Sequence, residues 1–272
     1  MEADVVFLSL ARDCARTLPI FFDFTASLRD SGMRCAAIIG ENGSRDATKD
    51  LLRTAQAGGH VVAVSTDFMA QIPDRLQRMA VGRQHLKEQL EKSSWTPRFV
   101  CIVDLDNAFE QPPTPASFSN AIAKLEHRGV FAVSATSRPL YYDLLAFEDG
   151  SISFEFLLDE IESHQTNLFA YYRFFRDHID EQRRLLTSPT DRQCTSAFNG
   201  LCLYPNEAYA LGSYIDAASR RCEHLTFNRR VAAATGLQML IDRELVLKTP
   251  SDHNEEAFVP FVIRRLRKRL RL

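Results

Sequence analysis

The sequence predicts an α/β protein built on a mixed, mostly parallel sheet flanked by helices. Three observations predict it. Short apolar runs with strand character recur from residue 4 to residue 134 and alternate with stretches of helical spacing, the pattern of βαβ units. Polar residues suited to chemistry follow directly after three of those runs, where open parallel sheets bind their ligands. The length of 272 residues, 45% of them hydrophobic and 25% charged, is enough to bury one full core.

Asp4 to Leu10 reads as a buried first strand, followed by Arg12-Asp13 and a helix over roughly Thr17 to Asp30. Cys35 to Ile39 is a second strand that ends at Gly40-Glu41-Asn42-Gly43-Ser44. Asp46 to Gln56 is a helix, because Ala47, Leu51, Leu52 and Ala55 fall on one face. His60 to Val64 is the third strand and Pro73 to Lys92 a longer polar helix. Phe99 to Val103 is the fourth strand, ending in Asp104-Leu105-Asp106. Pro115 to Glu126 is a helix and Val130 to Ser134 a fifth strand. The second half is less regular. Ser153 to Leu186 has a helical pattern with many aromatics, which reads as helix packing rather than a ligand platform. Ala197 to Tyr204 reads as a strand or strand pair, and Glu244 to Lys248 as a late strand. One domain over 1–258 is expected, with a nucleotide-binding half (1–136), an acceptor-binding half (137–258) and a basic tail (259–272).

Asp104 and Asp106 are the leading site residues. Two carboxylates one residue apart at a strand end suit Mg2+ or Mn2+, which prefer carboxylate and phosphate oxygens plus water. A cation there would neutralise charge on a departing diphosphate. The plain alternative is that the two acids cap a turn. Glu41-Asn42 stands at the second strand end. Gly43 permits a tight turn, and Ser44 or Asp46 can cap the next helix. A turn alone gives no reason for Glu41-Asn42, whereas contact with a base or ribose does. Glu223-His224 opens a helix over Glu223 to about Ala234, where a carboxylate can serve as general base or simply favour the helix dipole. His253 follows the last strand, with Asp252 beside it as a second candidate.

These residues resemble a known family. Gly40 to Thr48 looks like the E-N-x-S-x-D-x-T turn of GT-A glycosyltransferases. Ser9-Leu10-Ala11-Arg12-Asp13 resembles their first nucleotide-contacting loop, and Val103-Asp104-Leu105-Asp106 their metal-binding D-x-D. Leu140 to Phe147, Ala197-Phe198-Asn199-Gly200 and Cys222 to Phe227 are similar to segments of fungal capsule-associated mannosyltransferases and related bacterial polysaccharide glycosyltransferases. The resemblance spans about residues 4 to 253. It implies a GT-A-like fold, a nucleotide-sugar donor, Mn2+ or Mg2+, and a glycan or lipid-linked glycan acceptor. It places Ala11, Arg12, Asp13, Glu41, Asn42, Asp104 and Leu105 at the nucleotide sugar. Asp104, Asp106 and His253 fall at the metal, and Tyr142, Asp143, Asn199 and His224 at the acceptor. Glu223 takes the catalytic position. The fungal likeness points to retention of anomeric configuration, whereas the position of Glu223 suits inversion equally well.

A glycine-rich phosphate loop after the first strand would mark a sugar nucleotidyltransferase, but Ser9-Leu10-Ala11-Arg12 has no glycine. A non-catalytic, membrane-associated binding protein on a transferase fold is the other alternative. The tail holds Arg264, Arg265, Arg267, Lys268, Arg269 and Arg271 with no acid. The formal net charge of −2 hides this, since the chain without those six carries −8. As a helix the tail is basic and amphipathic and suits an anionic membrane surface. Nucleic-acid binding is disfavoured by the acidic body, and a plain solvated terminus is the remaining reading. The six cysteines contain no C-x-x-C pair and read as free buried thiols in a reducing compartment. No signal peptide or span is evident, so a cytoplasmic protein, peripheral at the inner membrane face, is expected.

Overall fold

The computed structural model describes residues 2–127, 129–152, 154–187, 190–216, 221–250, 253 and 257–270, the side chains of 154–156 and 267–270 excepted. The expected Asp252 and the start of the aromatic helix at Ser153 lie outside the described residues, as does Arg271 in the tail.

Among the described residues eight strands form one mixed sheet: β1 (Glu2–Ala11), β2 (Cys35–Glu41), β3 (Val61–Ser65), β4 (Thr96–Val103), β5 (Ala132–Arg138), β6 (Arg192–Cys194), β7 (Leu201–Pro205) and β8 (Met239–Lys248). Their order is β3-β2-β1-β4-β7-β5-β8-β6. β3, β2, β1 and β4 run parallel, β7 is antiparallel to both β4 and β5, and β5 is again parallel to β8. β7, from the second half of the chain, therefore lies between β4 and β5, and one sheet joins the two halves.

Helices cover both faces, as buried apolar strands require. They are α1 (Leu18–Asp30), α2 (Thr48–Gln56), α3 (Arg75–Lys92), α4 (Pro115–His127), α5 (Phe154–His164), α6 (Leu168–Phe174), α7 (Asp180–Leu186), α8 (Asn206–Leu211), α9 (Glu223–Thr235) and α10 (Phe258–Leu270). The period of two in β1 divides the core. Val5 and Phe7 face α1 and α4, where Phe7 meets Phe21 at 5.5 Å and Phe118 at 5.7 Å between ring centroids. Val6 and Leu8 face the opposite layer, with Leu86 and Leu90 of α3 and Phe227 of α9. All six cysteines are free and buried.

Three segments depart from the sequence expectation. Ala197–Gly200 is not strand, because Asn199 (φ 52°) and Gly200 (φ 84°) turn the chain left-handed before β7. β8 starts at Met239 rather than Glu244. Its register against β5 jumps from Ala135↔Asp242 to Thr136↔Val246, so Arg243–Leu245 bulge out. Asp242, fully buried in mid-strand, is neutralised by Lys124 at 2.6 Å, which also reaches Asp191 and Glu244. The aromatic stretch is three short helices, with a π-helical turn at Phe175–Ile179 between α6 and α7. Its rings pack on the tail: Phe258 and Phe261 meet Tyr172, Phe261 meets Tyr171 and Phe175, and Arg265 lies over the rings of Tyr171, Phe175 and Phe261. No helix among the described residues is long and apolar enough to cross a membrane.

Candidate active site

The carboxyl ends of β1, β2, β4 and β5 lie along one edge of the sheet, and β7 begins there. Antiparallel pairing sets Val103 opposite Leu201, and the Asp104 N–H donates to the Gly200 carbonyl at 2.9 Å. Asp104 and Asn199-Gly200 therefore meet although nearly 100 residues separate them in sequence.

The loops after β1 and β2 are stitched together by their polar residues. The Asp13 N–H donates to Ser44 Oγ at 3.0 Å, and Asp13 Oδ1 accepts from the Arg45 N–H at 2.7 Å. The Cys14 N–H donates to Thr48 Oγ1 at 2.8 Å, and the Ala15 N–H to Asp46 Oδ2 at 3.0 Å. Glu41 is buried and its Oε1 accepts from the Ser44 N–H at 2.6 Å, closing the turn at Gly43. Asn42 donates its N–H to the carbonyl of Ala11. The acids and hydroxyls of this motif thus have an internal duty that sequence reasoning did not assign to Glu41: they hold the two loops as one rim. Arg12 is exposed on it. Thr17 donates to the Leu105 carbonyl, which fixes the D-x-D loop against α1.

The acids at the end of β4 differ. Asp104 is partly exposed, and its Oδ1 accepts from Arg83 at 2.7 Å. Its Oδ2 has a long 3.5 Å contact with the Tyr142 hydroxyl. Asp106 is exposed, and its Oδ1 caps the following 3-10 turn at the Ala108 N–H, 2.9 Å away. The turn-capping alternative therefore describes part of what Asp106 does.

Arg83 is the residue that the sequence reading missed. It stands in the middle of α3, 3% exposed, and its Nε donates to Glu223 Oε1 at 3.1 Å while Nη2 holds Asp104. Its guanidinium lies 5.1 Å from the centroid of Phe198. Burial opposes the charge, but Asp104 and Glu223 outweigh it and keep Arg83 firmly protonated. The signal was available: Arg83, Leu86, Lys87 and Leu90 make one buried stripe at helical spacing. Gly82 precedes it where a Cβ would come within 2.6 Å of Met69 Sδ.

Glu223 is 6% exposed in the first turn of α9. Apart from Arg83, its neighbours are Cys222 Sγ, 3.7 Å from Oε2, and His224. His224 stacks face to face on Phe198, centroids 3.6 Å apart and planes 11° off parallel, and neither ring nitrogen has a hydrogen-bond partner among the described residues. Burial, with Arg83 adding to it, pulls the imidazole well below its ordinary pKa. It is therefore neutral, and the 3.6 Å approach of Nε2 to Glu223 Oε1 is not an ion pair.

After β5, Tyr142 and Asp143 are fixed by Asn199, which is fully buried. Its Oδ1 accepts from the Tyr142 N–H at 2.9 Å and the Asp143 N–H at 3.3 Å. Burial, with Asp104 and Glu223 near, raises the Asp143 carboxyl from 3.8 to about 7, against the pull of Arg75 and Arg83. In the unfolded chain this group ionises at its ordinary value. It therefore costs the fold nothing below about pH 4, and the cost grows until pH passes about 7. Asp143→Asn is expected to raise the melting temperature more at pH 8 than at pH 5, and an equal change at both contradicts this.

Gly200 lets Tyr142 approach. Its φ is 84°, and a Cβ would sit 2.6 Å from the Tyr142 hydroxyl oxygen. Gly200→Ala is expected to cost about 2–3 kcal/mol through backbone strain and the displaced ring. Denaturant unfolding measures it, and a loss under about 0.5 kcal/mol contradicts the packing argument.

His253 packs against Tyr142, ring centroids 5.4 Å apart, and its carbonyl accepts from Arg183. Among the described residues no three His, Cys, Asp or Glu side chains group as a metal site. Asp104, Asp106 and His253 therefore do not close into a three-ligand set among themselves. The donor chemistry still fits a hard divalent cation. Asp104 and Glu223 share one buried guanidinium, Asp106 follows on the same loop as Asp104, and Asp143 stands near enough for burial, and after it Asp104 and Glu223, to raise its carboxyl. A concavity of about 890 Å³, lined by Phe99, Leu125 and Leu211, borders the opposite ends of β4 and β7, far from these acids. A smaller one of about 500 Å³ adjoins Glu223.

No family model matches the sequence, and no curated protein matches it either. Solved structures do. The chain is similar to the mannosyltransferase PcManGT from Pyrobaculum calidifontis, solved with GDP-Man and Mn2+, at 16% identity and a TM-score of 0.52 over 97% of this chain and 61% of that one. It is similar to a mycobacterial protein at 17% identity and a TM-score of 0.51, over 98% of this chain and 74% of that one. The chain thus spans about three fifths of the length of the Pyrobaculum enzyme. The fold is of the GT-A glycosyltransferase type, a mixed α/β sheet flanked by helices.

Proposed function

We propose that this chain is a metal-dependent glycosyltransferase that moves a sugar from a nucleotide-sugar donor to a glycan or lipid-linked glycan. The reading places it in polysaccharide or glycolipid biosynthesis, as the likeness to capsule-associated mannosyltransferases implies. One observation carries it: at the carboxyl edge of a GT-A-type sheet, Arg83 ties the D-x-D acid Asp104 to Glu223, so donor-side and acceptor-side carboxylates share one buried guanidinium.

The roles follow from position. The rim formed by Ala11, Arg12, Asp13, Glu41 and Asn42 takes the nucleotide, with the Leu105 backbone beneath it. Asp104 and Asp106 would hold Mn2+ or Mg2+ through carboxylate oxygens, with His253 as a third candidate. When bound, the cation neutralises charge on the departing diphosphate. Tyr142, Asp143 and His224 surround the acceptor side, where Asn199 fixes their loop. The acceptor oxygen bonds to the anomeric carbon as that carbon's bond to the diphosphate oxygen breaks. The nucleoside diphosphate leaves with the electron pair, and the hydroxyl proton passes to Glu223 as general base or, with retention of configuration, to the departing diphosphate.

The tail supports attachment to an anionic membrane surface. Phe261 is buried against α6, while Val259, Ile263 and Leu266 are 64%, 45% and 42% exposed at helical spacing on the other side of α10, in a segment rich in arginine. The transferase reading is tested by incubating the protein with Mn2+ and a set of nucleotide sugars that includes GDP-mannose. Release of nucleoside diphosphate is expected. Release of pyrophosphate would assign a nucleotidyltransferase instead, and binding without any turnover a non-catalytic protein.

A further inference from the structure

We propose that the acceptor is an uncharged pyranoside, selected in the cavity between α3, α5 and the first turn of α9. This rests on the transferase reading and specifies its acceptor side. The cavity holds about 500 Å³, within the range of small-ligand sites and suited to one or two sugar rings. Glu223 lines it and is also joined through Arg83 to Asp104, so the cavity abuts the donor side.

The lining sets the ligand class. Asp74, Glu162, Asp216 and Glu223 contribute four carboxyl groups, against Arg221 in the described lining and Arg83, which holds Glu223 from behind, so these groups leave a surplus of two negative charges. Carboxylates accept hydrogen bonds from several hydroxyls at once, which is what a sugar ring presents. Val81 and Leu158 add apolar wall for the C–H face of the ring. An acceptor bearing phosphate or carboxylate would bring like charge into a half-closed space, and such repulsion discriminates as effectively as attraction. Asp74 also caps α3, its Oδ1 accepting from the Gln77 N–H at 2.7 Å, so that carboxylate is fixed in place.

The test uses saturation-transfer NMR on the full chain with Mn2+ and a nucleotide sugar that stabilises it. The probes are methyl α-mannopyranoside and methyl α-glucopyranoside, set against mannose 6-phosphate and glucuronic acid. The neutral pyranosides are expected to bind at least about tenfold more tightly than the anions. Val81→Trp, at a partly exposed position of α3, should remove pyranoside binding while leaving the nucleotide-sugar thermal shift unchanged. Glu162→Lys, on the exposed rim, should raise affinity for mannose 6-phosphate several-fold. Anions binding as well as neutral sugars, no pyranoside binding with the donor in place, or pyranoside binding that survives Val81→Trp would each overturn the proposal. Failure of every nucleotide sugar to bind is a different result: it removes the transferase reading, and this inference with it.

Discussion

Arg83→Met is expected to lower stability by about 3–5 kcal/mol, a fall of about 10 °C in melting temperature for a chain of this size. The substitution keeps much of the side-chain volume but leaves Asp104 and Glu223 without their cation, Glu223 in a site that is 6% exposed. A buried ion pair is weak evidence of net stabilisation, yet breaking one by removing a single partner is costly because charge remains behind. The triple variant Arg83→Met, Asp104→Asn, Glu223→Gln should therefore recover much of the loss. Denaturant unfolding of the two variants checks both statements. A loss below about 1 kcal/mol for the single variant would mean that Arg83 does not organise the site.

Asp106→Asn is expected to lower Mn2+-dependent sugar transfer by about three orders of magnitude with little change in folding. Asparagine keeps a carbonyl oxygen for the Ala108 N–H and so preserves the cap that Asp106 provides at 2.9 Å. What it loses is the charge offered to the cation. Asp106→Ala should lose the same activity plus about 1 kcal/mol of stability from the missing cap. Turnover measured at saturating donor, alongside melting curves, separates the two effects. Activity within tenfold of the parent chain would leave Asp106 as a turn residue and no more.

Much of the sheet was legible because buried parallel strands are written as continuous apolar runs. β1, β2 and β4 appear in the sequence close to where they lie, and so do the acids after them. β8 was half hidden because Asp242, Arg243 and Glu244 interrupt its apolar pattern. The structure accommodates them with a bulge and with Lys124 on the buried Asp242. Ala197–Gly200 read as strand because its composition is apolar, while the left-handed turn at Asn199 and Gly200 depends on contacts with Tyr142 and Asp104 that no local pattern contains. Arg83 shares a helical stripe with Leu86 and Leu90, but its charge hid its burial. A polar helix such as α3 reads as solvent-facing, and its packing against β1, β2 and α9, with Tyr209 of α8 over Lys87, is what buries Arg83 and Lys87. Conversely, Glu41 was legible as a site residue but not as the acceptor that closes its own turn.

If Asp104 and Asp106 anchor a nucleotide sugar through a divalent cation, donor binding requires both the metal and the Asp106 carboxylate. The most direct measurement is the thermal shift of the intact chain with nucleotide sugars, GDP-mannose among them, with and without Mn2+, compared with the same scan of Asp106→Asn. A ligand at a hundred times its dissociation constant adds about 2.7 kcal/mol to the native state. A clear rise in melting temperature is expected for at least one nucleotide sugar, requiring Mn2+ and absent in Asp106→Asn. An equal rise without metal, or an undiminished rise in the variant, would contradict it.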